Sequence, residues 1–503
     1  MSPSRVLAII LLAVAPFGRT AIADEPKAAG VAIDSKPKIG DQPARLLLDQ
    51  SISEYKTRRA ALMARVKEAE ANSGLFAPRN GDAKAPETVI ALVGRLDEAE
   101  DEKFRQSNDF AYLSGVDTAH AAMILRPSTG KETLYLPPRN KFAESWTGPK
   151  IGPGPEGVAT TGFDRVAPMS EFLGDLFGAI GDPGKRSPAS RSGTVYLLEP
   201  EAGPLSSSSS SASASFAKLI REGATTTRRK DVGPMLGELR KVKSANEMAL
   251  LRKAIGVTAD AQAAAIAKLG PGVPEYRLEG AILGAFVEGG GTRAGFPSIV
   301  GSGPNSTILH YNANRRIMRD GDLVVIDIGG EYAYYTADIT RTYPVSGKFS
   351  PRQREIYRLV LDCQSAAANE FKVGVSTLGS LNRVARDVFR KSLLRAKDAS
   401  GNERSMDAFF THGLGHYLGM DVHDVGDSAK PLGPGEVFTI EPGLYIPSEG
   451  LGVRIEDDYL VTKDGLEKLS KEIPSAPDDL ERLIAKARES RSKAKRVAEA
   501  TAP

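Results

Sequence analysis

VVIDIGGEYAYYTADITRTYP (324–344) is the stretch whose reading decides the fold, and THGLGHYLGMDVHDVG (411–426), FTIEPGLYI (438–446) and GVRIEDDYLV (452–461) answer it further along. Each joins an apolar, β-rich run to an acid or histidine that such a run does not need for its own stability. Asp327 closes the run Leu323 to Ile326 and is followed by Gly329-Gly330; Asp338 lies eleven residues on, in ADITRTY, which reads as the returning strand of a hairpin. Opposed strands bring two carboxylates to one face, where they repel unless a proton or a cation sits between them. Glu441 in FTIEPG and Glu456 in RIEDD repeat the pattern. A carboxylate on a buried strand is costly unless paired or metal-bound. One such acid is as often an ordinary strand-end residue; four in succession are not.

With His416, the four carboxylates are what a pair of divalent cations needs. An oxygen-rich set with one nitrogen suits a hard or borderline ion, Mn²⁺ first, with Co²⁺, Fe²⁺ and Zn²⁺ as other occupants. Two ions roughly 3.5–4 Å apart bridge and deprotonate a water, which is a route to a hydrolytic nucleophile. Four of the five histidines, His310, His412, His416 and His423, fall in this half of the chain, while His120 is isolated and reads as structural. Beyond one ligand, such imidazoles handle protons or steady an oxyanion. Arg454 is two residues before Glu456 and shares its strand face, as a partner for the acids or a substrate contact. HGLGHYLGMDVHD lacks the glutamate of an HExxH helix, which disfavours a single-zinc protease. GSGPNS (301–306) lacks the ending of a phosphate-binding loop, and no Gly-x-Ser-x-Gly elbow occurs.

A chain of 503 residues is too long for one ordinary core and predicts two or three domains. Its composition, 41% hydrophobic and 26% charged, is that of a globular protein, and a formal charge of +3 gives no case for nucleic acid or an acidic membrane as partner. The single cysteine excludes an intramolecular disulfide and a cysteine-based zinc cluster. Cys363 lies in the helical run EIYRLVLDCQSAA and reads as a small buried hydrophobe. Arg5, the apolar run Val6 to Ala15 and Ala21-Ile22-Ala23 form a signal peptide over 1–23, with the mature chain starting at Asp24. The apolar run is too short to span a bilayer. Export to the periplasm or medium is therefore expected.

A flexible leader follows over 24–45, then an α/β domain over 46–232. In it ISEYKTRRAALMARVKEAEAN (52–72) is spaced as a surface helix. TVIALVG (88–94), FRQSNDFAYLSGV (104–116), AAMILRP (121–127) and ETLYLPP (132–138) read as strands. SSSSSSASAS (206–215) is of low complexity and is expected to be a mobile surface loop or a hinge-side spacer. A second domain covers 233–475. It opens with a helical pattern over 237–269 that Gly270-Pro271-Gly272 stops, and a further helix at EYRLEGAILGAFVEGG. FPSIVGSGPNSTILHY (296–311) reads as strand, glycine turn and strand, and helices are expected at 351–371 and 376–396. Residues 476–503 start as a helix and become a solvated basic tail.

These motifs, with MRDGDLVVIDIGGEY, ADITRTYPVSGKF, FRQSNDFAYLSG and LPPRNKFAESWTG, closely resemble the Xaa-Pro aminopeptidase (aminopeptidase P) family, M24 "pita-bread" dinuclear metallopeptidases, over most of 50–485. The resemblance implies an α/β (α+β) chain, with an N-terminal creatinase-like α/β domain before a C-terminal pita-bread catalytic domain. It implies that Asp327 binds one metal, that Asp338 and Glu456 bridge both, and that His416 and Glu441 complete the shells. A bridging hydroxide would attack the carbonyl before proline with Glu441 relaying the proton, releasing the N-terminal residue of a proline-containing peptide. His310 and His423 would hold substrate and oxyanion, and His412 and Arg454 would support them. Trp146 corresponds to a residue that in some relatives reaches a neighbouring subunit, which implies a homo-oligomer, a dimer or tetramer. The segment DVGDSAKPLGPGEVFTI (424–440) departs from bacterial relatives: it is shorter and lacks their arginine, leaving Lys430 as its only cation. A prolidase, cleaving Xaa-Pro dipeptides with the same metal set, is the nearest alternative. A non-catalytic pita-bread binding protein or a metal-free creatinase-like hydrolase fits poorly, because all five ligands are present. A methionine aminopeptidase fits poorly because of the long N-terminal domain.

Overall fold

The structure, a computed structural model, describes residues 48–72, 87–96, 103–180, 193–199, 211–223 and 227–501. The expected signal peptide and leader lie outside the described residues, as does 206–210 of the serine run. The chain divides into two compact units, Met1–Leu236 and Gly237–Pro503.

In the first unit a six-stranded mixed sheet has the order β4-β3-β2-β1-β5-β6. Its strands are β1 (Thr88–Val93), β2 (Ala122–Arg126), β3 (Lys131–Leu136), β4 (Arg165–Pro168), β5 (Thr194–Leu197) and β6 (Arg228–Asp231). β1 is buried along its whole length, which explains its unbroken apolar reading. Helix α1 (Ile52–Asn72) buries Tyr55, Leu62 and Val66, and its buried Arg59 donates to Glu132 at 2.9 Å.

Two expectations fail here. FRQSNDFAYLSGV is not a strand: Asn108–Ser114 is a helix, α2, ended by Gly115 in the left-handed region at φ 69°. All seven of its residues are buried, so no polar face betrays the helical period. The serine run is not simply a loop either, because helix α3 (Ser211–Gly223) begins within it. Ala212 and Ser213 are buried on the side that carries Phe216, Ala217 and Ile220. Small residues can enter a core wherever the following helix supplies the apolar stripe.

Two helices stand where one was expected over 237–269, α4 (Gly233–Lys241) and α5 (Ala245–Ile266). Ser244 and Glu247 form a reciprocal capping box that starts α5 afresh. Helix α6 (Glu275–Glu288) follows, then an antiparallel sheet of β7 (Ile299–Ser302), β8 (Leu323–Ile328) and β9 (Ile339–Pro344), with β8 in the middle. The second strand expected in 296–311 is absent: Gly303–Thr307 is a 3-10 turn, and 308–311 pairs with no strand among the described residues. Its backbone is held by side chains instead.

Helices α7 (Pro351–Asn369) and α8 (Leu378–Lys391) precede a long hairpin made of β10 (Val437–Ile440), β11 (Gly443–Ile446), β12 (Leu451–Arg454) and β13 (Asp457–Val461). Cys363 on α7 is buried in the core, with Val360, Phe389 and Ile440. The terminal helix α9 (Pro477–Thr501) runs on through the stretch expected to be a solvated tail. No helix among the described residues is long and apolar enough to cross a membrane.

Candidate metal centre

Asp327 is the penultimate residue of β8 and pairs with Thr340 of β9; Asp338 comes immediately before β9. The hairpin expected between them is present, and it sets the two acids diagonally. Glu441 and Glu456 have a simpler origin. Ile440 pairs with Asp457 and Gly443 with Arg454, so one register runs through the whole hairpin and sets Glu441 opposite Glu456. The regular ladder is interrupted at that pair, between β10 and β11 on one arm and between β12 and β13 on the other.

His416 arrives on an extended segment, with no helix, that runs beside β10. Glu441 N donates to the Leu414 carbonyl at 2.8 Å and Thr439 N to the His416 carbonyl at 2.9 Å. Gly415 makes the approach possible, since a Cβ there would sit 1.9 Å from the Thr439 carbonyl oxygen.

The five side chains converge. His416 Nε2 lies 3.4 Å from Asp338 Oδ2, 3.6 Å from Glu441 Oε1 and 3.9 Å from Glu456 Oε1. Arg454 Nη2 meets Asp327 Oδ2 at 2.6 Å, and Thr340 Oγ1 donates to Glu456 Oε2 at 2.8 Å. One oxygen of each of these acids is thus fixed by the protein. The others, Asp327 Oδ1, Glu456 Oε1 and also Asp338 Oδ1, are buried without a hydrogen-bond partner among the described residues. Ligand atoms of Asp338, His416 and Glu456 all lie within 4.8 Å of one another.

Nδ1–H of His416 donates to the Tyr417 carbonyl at 3.0 Å, which leaves the Nε2 lone pair facing the acids. That is the orientation a metal-binding imidazole needs. Burial, then the neighbouring Asp327, Asp458 and Glu441, push the Asp338 carboxyl well above the carboxylate range. Glu456 is raised in the same way by burial and by Asp338, Glu441 and Asp327. Glu441 is raised by burial, with His416 and Arg454 pulling the other way. Acids this crowded hold protons unless cations replace them. The donor set fits divalent cations.

A carboxyl whose folded pKa is raised lends stability that is whole below its unfolded value near 4 and is lost as pH rises through the raised one. Ion binding must displace those protons. The gain in Tm on adding Mn²⁺ to chelator-stripped protein is therefore expected to be small at about pH 5 and several degrees at about pH 8. A Tm gain independent of pH in calorimetry would remove these three acids as the binding groups.

Around the centre lies a cavity of about 540 Å³ lined by all ten of Asp327, Asp338, His310, His412, His416, His423, Glu441, Arg454, Glu456 and Asn312, with an apolar wall of Phe296, Pro297, Ile299, Leu309 and Val422. The His416 and His423 rings are 4.1 Å apart. Burial and the nearby His416 and His310 lower His423 to about 4, and burial with Arg454 lowers His412 to about 4, so both are neutral at physiological pH. His120 lies in the other unit, its N–H on the Arg95 carbonyl. Lys430 pairs with Glu238 at 3.6 Å.

Tyr445 and Asp424 are among the supporting residues that were not singled out from sequence. Tyr445 links His412 to Arg454: its hydroxyl accepts from Arg454 Nη1 at 2.8 Å and lies 2.9 Å from His412 Nε2. Asp424, next to His423, is buried between Arg240 at 2.6 Å and Lys243 at 3.0 Å, which anchor the turn that carries that histidine. The tyrosine's place in FTIEPGLYI, two residues beyond a glycine on the strand of Glu441, was the one available signal.

Comparison with known proteins follows the same lines. The model of metallopeptidase family M24 matches residues 249–463, and that of the aminopeptidase P N-terminal domain matches 55–184. The Xaa-Pro aminopeptidase of Escherichia coli (strain K12) is 35% identical over 465 residues, covering 87% of this chain and 99% of that relative. Two solved structures of Escherichia coli aminopeptidase P are similar at 32% identity: a variant in complex with substrate (TM-score 0.72, covering 88% of this chain and 99% of that one) and a zinc-substituted form in complex with product (TM-score 0.71, covering 87% and 99%).

Proposed function

Because the chain belongs to metallopeptidase family M24, with an aminopeptidase P N-terminal domain ahead of the pita-bread catalytic domain, we propose specific roles for its cavity residues in one reaction. The chain is a metal-dependent Xaa-Pro aminopeptidase, which hydrolyses the bond before a proline in second position and releases the N-terminal residue. The observation that carries the assignment of roles is the meeting of Asp327, Asp338, His416, Glu441 and Glu456 around carboxylate oxygens that no described residue satisfies.

Asp327, Asp338, His416, Glu441 and Glu456 would hold the ions. When bound, the ions supply the Lewis acidity that makes water a nucleophile at neutral pH. Glu441 would take a proton from the attacking water and deliver it to the prolyl nitrogen as the peptide bond breaks. His310 and His423 line the cavity, His423 with its ring 4.1 Å from that of His416, and would donate to the carbonyl oxygen as it gains charge. His412 holds its Nδ1–H against the Gly413 carbonyl at 2.7 Å, so its Nε2 accepts from Tyr445 and keeps that hydroxyl and Arg454 in place. The apolar wall of Phe296, Pro297 and Val422 suits a pyrrolidine ring.

Mn²⁺ is the proposed occupant, on the strength of four carboxylates to one imidazole. Export is proposed from the basic, apolar and small-residue succession over 1–23. A homo-oligomer is proposed from the helix Lys141–Thr147, which buries none of its residues and leaves Phe142 and Trp146 exposed side by side. Burial in a partner subunit would account for two large aromatics otherwise left in water.

The test of the activity is turnover of an Xaa-Pro-Pro tripeptide against an Xaa-Pro dipeptide by the metal-loaded enzyme. The tripeptide is expected to be cleaved, chelation to stop it, and a divalent ion to restore it. Cleavage of the dipeptide alone would assign the site to a prolidase instead.

A further inference from the structure

We propose that Glu275 is a positioning residue for His310, acting from outside the cavity on the loop that carries the imidazole. The proposal rests on the reading above that His310 contacts the substrate. Glu275 begins α6 and is fully buried. Its Oε1 accepts from Ser302 N at 2.8 Å, Ser302 Oγ at 2.6 Å and Asn305 Nδ2 at 3.3 Å. Its Oε2 accepts from Tyr311 Oη at 2.9 Å and Arg316 N at 2.8 Å. One carboxylate therefore holds the beginning, the middle and the end of the segment 302–316. The same residue's backbone N–H donates to the Arg316 carbonyl at 2.9 Å, closing the base of the loop.

This segment has no strand pairing of its own beyond Ser302 among the described residues, so side-chain bonds take the place of a ladder. His310 is exposed within it, and packing does not fix its ring. Its direction is set by its neighbours. Tyr311 is tied to Glu275, and the Leu309 carbonyl lies 3.4 Å from Arg454 Nη2. Ser306 Oγ accepts from Gly452 N at 2.8 Å and docks the far side of the loop on β12. A displacement of this segment would move an imidazole relative to the acids without touching any of them, and small misplacements of catalytic groups are costly.

The experiment is a double-mutant cycle on kcat/KM for an Xaa-Pro-Pro peptide, with metal content measured for every variant. Glu275→Gln puts an amide nitrogen against donors whichever way it turns, and Tyr311→Phe removes the hydroxyl that donates to Glu275 and accepts from Arg315 N at 3.2 Å. In the wild-type background the first is expected to lower kcat/KM about 10–100-fold and the second about 3–10-fold, at unchanged metal content. In a His310→Ala background both losses should shrink to less than about twofold, because there is no imidazole left to misplace. Equal losses with and without His310 would mark Glu275 as a structural support and overturn the proposal. Full activity of Tyr311→Phe in the wild-type background, should Glu275→Gln fail to fold, would overturn it too. Undiminished activity of His310→Ala would overturn both the positioning and the role read for His310, whereas a large His310→Ala loss without coupling sinks the positioning alone.

Discussion

Glu441→Gln should lower kcat by about a thousandfold or more while the fold survives. The substitution keeps volume and shape but removes a proton acceptor and a charged ligand together. Glu441 is the acid that faces two of the four histidines lining the cavity, with Oε1 3.6 Å from His416 Nε2 and Oε2 3.7 Å from His412 Nδ1. That placement gives it access to the proton path. Stability should move the opposite way. Glu441 stands opposite Glu456 and near Asp338, and burial disfavours its charge. Taking one acid out of that crowd removes a group that in the ion-free protein must either hold a proton or repel its neighbours. The stripped variant is expected to melt at or above the stripped wild type, and to gain less from added Mn²⁺. Turnover within tenfold of wild type, at full metal occupancy by elemental analysis, would take the proton relay away from Glu441.

Arg454→Met should be the most destabilising single change in the cavity wall. Arg454 is buried and makes four contacts: Asp327 Oδ2 at 2.6 Å, Tyr445 Oη at 2.8 Å, Thr340 Oγ1 at 3.2 Å and the Leu309 carbonyl at 3.4 Å. Burial alone would lower its pKa, but Tyr445, Asp327 and the two glutamates outweigh that and hold it well above the ordinary value. Breaking a buried pair by removing one partner costs about 3–5 kcal/mol, since the other charge stays behind. For a unit of this size that is a fall in Tm of roughly 10 °C. Arg454→Lys should not rescue it, because an ammonium cannot reach several partners at fixed angles as the planar fork does. Adding Asp327→Asn to Arg454→Met should return most of the lost stability and none of the activity. If calorimetry finds the single and double variants equally unstable, the Asp327 pair is not what Arg454 stabilises.

Much of the centre is legible in the amino-acid sequence, for a physical reason. Asp327, Asp338, Glu441 and Glu456 each interrupt or end an apolar β segment, and water-avoiding segments do not carry acids without a partner. What sequence could not supply was the pairing. That Glu441 faces Glu456 follows from a register fixed between residues as far apart as Val437 and Leu460, and that Arg454 reaches Asp327 spans still more chain. The supports were less visible again. Glu275 looks like any acid at the start of an amphipathic helix, and Asp424 like any polar turn residue, until their partners are known. The secondary-structure errors have the same source. α2 has no exposed face to show its period, and Ser302 to Tyr311 is ordered by a distant carboxylate, so neither carries a local signal.

The single ladder shared by the two arms between Val437 and Val461 also governs how this part of the chain can change length. Losing or gaining one residue within either arm would turn Glu456 to the reverse side of the ribbon and bring Ile455 or Asp457 into its place. Only the bend at Pro447–Gly450 lies outside that count. Insertions there, whether arising by descent or by design, lengthen the tip and leave the two acids in step.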